Sequence, residues 1–168
     1  MAKSCAIILV SALCFLSFLD IALSSKDRFF IEGKVYCDTC RIQFFTRVSK
    51  YLPGAKVKLV CREEANAGNE TFTGEAVTDK NGVYKIEVDG DHEEEICEVS
   101  LLESGDKGCG EIPTDGYGHF ARVSITGNNG IIDPVRQANP LGFKKKEALP
   151  QCKEVLRELG FDDAGILV

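Results

Sequence analysis

The chain has 168 residues, enough to bury a sizeable core but too few for a large multidomain enzyme. Its 44% hydrophobic and 27% charged residues make an ordinary globular mixture, neither disordered nor collagen-like. With 20 Lys and Arg against 26 Asp and Glu the net charge is -6, which argues against nucleic acid, because phosphate contacts need clustered positive charge.

The N-terminus reads as a secretory signal peptide. Lys3 supplies the charged end, Cys5 to Leu19 an apolar run of 15 residues, and Ala22, Ser24 and Ser25 the small-residue exit. That run is short of the roughly 20 residues a spanning helix requires, and Asp20 argues further against a signal anchor. Cleavage is expected after Ser24. Residues 1–24 are then the signal and residues 25–168 a single secreted β domain with a terminal helix and a short tail. No later stretch is apolar for long enough to span a membrane.

Of the 8 cysteines, Cys5 and Cys14 leave with the signal, so Cys37, Cys40, Cys61, Cys97, Cys109 and Cys152 remain. An even set in an oxidising compartment reads as disulfides. The Cys37-Asp38-Thr39-Cys40 run also suits a thioredoxin-type redox pair or half a zinc site. Residues 41–48 carry no convincing helix to activate a thiol, however, and zinc would want a second CxxC or a His pair. Structural disulfides are the reading taken, with no metal and no cofactor.

The body of the chain alternates with period two, the mark of half-buried strands. Phe29, Ile31, Gly33, Val35 and Cys37 share one face of the first run, and residues 55–61 repeat the pattern. Tyr84, Ile86 and Val88 continue it, then Cys97, Val99 and Leu101, then Ala121, Val123 and Ile125. Turn signals separate the runs at Pro53-Gly54, Asp79 to Gly82, and Gly105 to Gly110. Cys61 and Cys97 fall on the core faces of their strands, which suits a disulfide between them. After Pro150, Cys152, Val155, Leu156 and Leu159 recur at helical spacing, with Gly160 placed as a C-cap. The expected fold is all-β, a disulfide-stapled Greek-key sandwich or barrel of about seven strands with a short C-terminal helix. Residues 53–59 and 78–86 resemble the transthyretin-like class of such sandwiches.

The run Glu32-Gly33-Lys34-Val35-Tyr36-Cys37-Asp38-Thr39-Cys40-Arg41 resembles the signature of the pollen Ole e 1 family. The likeness continues through Asp91-His92, residues 95–98, Cys109-Gly110-Glu111-Ile112-Pro113 and residues 139–145, and ends at Cys152. It implies bridges Cys37–Cys109, Cys40–Cys152 and Cys61–Cys97, of which strand phase independently favours the last. It also implies an extracellular pollen protein without catalytic residues. Such a protein acts in pollen-tube emergence and growth, with a receptor-like kinase ectodomain as one kind of partner. By chain entropy each bridge is nominally worth roughly 4–5 kcal/mol, before native strain and residual unfolded structure reduce it.

Candidate chemistry is sparse. His92 sits among Asp89, Asp91, Glu93, Glu94 and Glu95, drawable as an acid/base or calcium site. The spacing fits no EF-hand, and a solvated acidic turn is the reading taken. His119 reads as a strand-edge residue, and no nucleophile motif such as GxSxG is present. Lys144-Lys145-Lys146 reads as solvated surface, with contact to acidic wall polysaccharide as the alternative. Asn69-Glu70-Thr71 is the sequon after the signal, and Asn69 is expected to carry a glycan on a surface loop.

Overall fold

A computed structural model describes residues 27–161 apart from Ala67 and Tyr117. The signal segment, its cleavage point and the tail after Phe161 lie outside the described residues. The strands are β1 (Arg28–Asp38), β2 (Lys50–Tyr51), β3 (Lys56–Glu63), β4 (Glu70–Val77), β5 (Val83–Asp89), β6 (Glu95–Glu103), β7 (Phe120–Val123), β8 (Val135–Gln137) and β9 (Leu141–Lys144). Helix α1 (Cys152–Glu158) follows.

β1 is the hub of one sheet. It pairs antiparallel with β5 and β2, and parallel with β8 and β9. The other sheet runs β4-β3-β6-β7, all antiparallel. The chain leaves the second sheet after β4, adds β5 to the first and returns as β6 beside β3, a Greek-key path. The alternating residues meet between the layers. Ile31, Val35, Val57, Leu59, Val88, Val99, Leu141 and Phe143 are all fully buried in one cluster. Each such aliphatic or aromatic side chain contributes roughly 1.5–3 kcal/mol by leaving water.

The described residues form nine strands rather than about seven. β2 and β8 hold only 2 and 3 residues, too short to show a period. β4 is an edge strand whose inward residues Phe72, Gly74 and Ala76 are only half-buried, so its apolar alternation is weak. Within β1 the alternation also stops at Val35, beyond which both faces are buried. Tyr36 is covered there by the loop after β1 and by β9.

Three disulfides tie these parts together. Cys37–Cys109 joins β1 to the loop before β7, and Cys40–Cys152 joins the loop after β1 to α1. Cys61–Cys97 links directly opposed residues of β3 and β6. Helix α1 buries Cys152 and Val155 in a satellite outside the main cluster. It closes as a Schellman motif: Phe161 N–H donates to the Leu156 carbonyl, Gly160 N–H donates to that of Arg157, and Gly160 takes φ 79. Leu159, placed by periodicity on the apolar stripe, is instead 48% exposed, because the helix ends before that face reaches a neighbour.

Candidate functional site

The signature segment is where the sequence concentrates its unusual residues, and almost every one has a structural partner. Gly33 stands opposite Tyr84 across the β1–β5 ladder, and a Cβ there would lie 2.6 Å from the tyrosine Cζ. Tyr36 stands opposite Gly142 of β9, whose Cβ would likewise lie 2.6 Å from the Tyr36 Cζ. Each ring lies over a glycine on the neighbouring strand, and its burial pushes the phenol pKa well above the ordinary range.

Asp38 is fully buried, and its carboxylate caps the turn that follows. Oδ1 accepts from Cys40 N–H at 3.2 Å and Oδ2 from Gln43 N–H at 2.7 Å. Arg41 (φ 61) and Gln43 (φ 59) are both left-handed, a conformation costly for side chains with a Cβ. The Arg41 guanidinium compensates by donating to both Glu111 oxygens, at 2.8 and 2.6 Å, and to the Lys145 carbonyl at 2.6 Å. The Arg41 hydrogen bond holds the Glu111 carboxyl below its ordinary pKa. The CxxC is therefore two unrelated staples on a tight turn, with no free thiol for redox or zinc chemistry.

His92 is less solvated than the acidic composition around it predicts: its side chain is only 10% exposed. Asp91 fixes the turn, accepting from Gly127 N–H and Thr126 Oγ1 at 2.9 Å each and from Glu93 N–H at 2.8 Å. These bonds, the one from Gly127 foremost, lower its pKa. His92 Nδ1 lies 2.8 Å from Glu95 Oε2, which Thr71 Oγ1 also approaches. This is the base-and-orienter half of a triad, but Nε2 is buried without a hydrogen-bond partner, so no described nucleophile is attached to it. Ligand atoms of Cys61, His92, Glu95 and Cys97 lie within 4.8 Å of one another. The two sulfurs are bonded to each other, and a disulfide lacks the thiolate a soft metal takes, so the oxidised cluster is a poor metal site.

The exposed surface carries more than the sequence reading anticipated. Phe44 (63% exposed) and Phe45 (46%) stand on the loop after β1, and Phe45 stacks at 4.8 Å on Tyr51 (40%) of β2. The bidentate pair of Arg47 with Glu158, at 2.9 and 3.0 Å, fastens that loop to α1. On the loop before β8, Ile132 is 99% exposed. The buried Arg136 guanidinium holds that loop, donating to the Thr126 carbonyl at 2.6 Å and lying 4.7 Å from the Phe29 ring centroid.

The family model described as pollen protein Ole e 1 like matches residues 27–160, nearly all of the described chain. The chain belongs to this family. An Olee1-like protein of Betula pendula is 54% identical over 168 residues, 99% of each chain. Pollen allergen Che a 1 of Chenopodium album is 50% identical over 165 residues, 97% of this chain and 98% of that one. Among solved structures, the major plantain pollen allergen Pla l 1 superposes with a TM-score of 0.66 at 32% identity, covering 74% of this chain and 99% of that one.

Within this Ole e 1-like chain, two expected surface features change character. Lys144 is not solvated: its side chain is 13% exposed and lies 3.6 Å from Asp115, because strand β9 turns it away from Lys145. Asn69 is exposed just before β4, but Glu70 and Thr71 belong to the strand rather than to a loop, and the Thr71 hydroxyl donates to the Cys61 carbonyl at 3.1 Å. His119 lies immediately before β7, half-buried, with its ring against Phe120. The aromatic loop was not expected from the sequence pattern. Its signal was the adjacent pair Phe44-Phe45 in a segment with no strand period to bury it.

Proposed function

We propose that this Ole e 1-like protein is secreted by pollen or related tissue and acts by binding an extracellular partner, not by catalysis. The partner in this reading is a receptor-like kinase ectodomain, and the process served is pollen-tube emergence and growth. The observation that carries it is the contrast between interior and surface. The chemically suggestive residues (the CxxC, Asp38, Arg41, His92) are bonded into the fold, while large apolar side chains stand exposed on loops held by buried or paired arginines. Exposed apolar groups on rigid supports suit association, since little conformational freedom remains to be lost.

Secretion belongs to this reading, through the 1–24 signal, as does a glycan on Asn69. Thr71 is bonded into β4, so the glycan is added before that sheet closes. An intact mass unchanged by N-glycosidase treatment of the plant protein contradicts the glycan.

The test of the binding reading uses the oxidised protein as bait on pollen and pistil surface extracts, with a reduced and alkylated sample alongside. Saturable capture of a receptor ectodomain by the oxidised form alone supports it. Capture of nothing but salt-labile polysaccharide, equally by both forms, ends it.

A further inference from the structure

The loop after β1, the Gly105-Asp106 turn and the segment after β9 enclose a groove of about 470 Å³. That volume lies within the range of small-ligand sites, roughly 300–1,000 Å³. Its walls include Thr39, Leu52 and Leu149 with the ring of Tyr51, and Cys37 of the Cys37–Cys109 bridge forms part of its lining. Lys50 and Lys145 line it as well. Neither makes an ion pair among the described residues, whereas Lys56 and Lys144 are paired with Glu103 and Asp115. Lys34 stands at the rim with its ammonium 4.9 Å from the Tyr51 ring centroid, and Phe45 stacks on the same ring. The only acidic lining residue is Asp106, whose Oδ1 already accepts from Gly108 N–H at 2.7 Å.

In a chain of net charge -6, this is a place where unpaired cations converge on exposed aromatic carbon. We infer that the groove binds an acidic polysaccharide, a chain of uronate residues. The carboxylates would lie against Lys50 and Lys145, and the C–H faces of the sugar rings against the exposed carbon of Tyr51, the aromatic residue of the lining. An ammonium meets a carboxylate in a charge-assisted hydrogen bond, and aromatic carbon covers the apolar face of a pyranose, so one ligand satisfies both features of the wall. The disulfides at Cys37 and Cys40 hold the groove's shape in advance, which lowers the ordering cost of binding a weakly adhesive ligand. Lys145 is thus the member of the 144–146 run that takes part, while Lys144 points elsewhere. The inference rests on the extracellular placement proposed above and not on the protein partner.

The test titrates the purified, oxidised, full mature protein with a short oligogalacturonate of defined length, followed by calorimetry and by NMR shifts. Saturable binding is expected, with the largest shifts around Lys50, Tyr51 and Lys145. The double variant Lys50→Gln/Lys145→Gln should weaken it at least about tenfold, the equivalent of losing one charge-assisted contact. Tyr51→Ala should weaken it while the melting temperature shows the fold intact. The charge-matched control Lys58→Gln/Lys85→Gln, on outward faces of β3 and β5, should bind as wild type does. Equal affinity for a polyglutamate of the same charge would mean that the groove recognises polyanions without regard to sugar, and would overturn the inference. So would equal affinity for a neutral oligosaccharide, an equal loss in the control variant, or no binding. Because the assay holds only protein and sugar, its outcome is independent of whether a receptor ectodomain is ever captured.

Discussion

Asp38 is fully buried and commits both carboxylate oxygens to the backbone immediately after it. Asp38→Ala would leave the N–H groups of Cys40, buried, and of Gln43, half-buried, without their acceptor. At about 1–2 kcal/mol for each orphaned donor, the loss of unfolding free energy should be about 2–4 kcal/mol, read by denaturant titration of the oxidised protein. A loss under about 1 kcal/mol would mean that the turn does not depend on its cap. The Arg41–Glu111 pair makes a prediction about pH. Its hydrogen bond depresses the Glu111 pKa in the folded state, so the unfolded chain binds that proton more readily. The stabilisation is whole above the ordinary glutamate value of about 4.3 and is lost as pH falls through the lower folded value. The melting-temperature gap between wild type and Glu111→Gln should therefore narrow below about pH 4, and a gap independent of pH would contradict the pairing. Arg41 and Glu111 both lie in the runs that carry the family likeness, but their pairing was not legible, because 70 residues separate them.

At the scale of the element, the period-two runs were legible wherever a strand buries one face against the opposite sheet, as in β3, β5 and β6. β2 and β8 could not be read, since each owes its strand geometry to pairing with β1 and not to a pattern of its own. The terminal helix was legible in its period and its glycine stop, though not in the exposure of Leu159. Only 7 residues long, it is too short to persist alone, and Cys40–Cys152 with the Arg47–Glu158 pair holds it in place. Cys152→Ser should raise amide exchange in α1 by at least about tenfold while β3 and β6 keep their protection. Exchange in α1 equal to wild type would show that Val155 packing and the Arg47–Glu158 pair suffice without the bridge.

At the scale of the molecule, the composition and the segment from Glu32 to Arg41 led to the fold family, and they led there for a physical reason. Gly33, Tyr36, Cys37, Asp38, Cys40 and Arg41 are the positions where two strands, a turn, a helix and two bridges must fit together. The interaction surface was far less legible. Lys50 and Lys145 are 95 positions apart, Phe44 and Ile132 sit in segments without period, and only the folded chain shows which cations lack a partner.

The central claim is that the signature segment builds the fold while exposed loops do the binding. One experiment sets the two against each other, measuring melting temperature and capture of the extracellular partner for two sets of variants. Asp38→Asn and Arg41→Gln, in the signature, should lose melting temperature, and should lose capture only in step with it. Phe44→Ser and Ile132→Ser, on the exposed loops, should keep the wild-type melting temperature, and at least one of them should lose capture. A signature variant that melts as wild type yet captures nothing would contradict the account, and so would loop variants that both capture as wild type does.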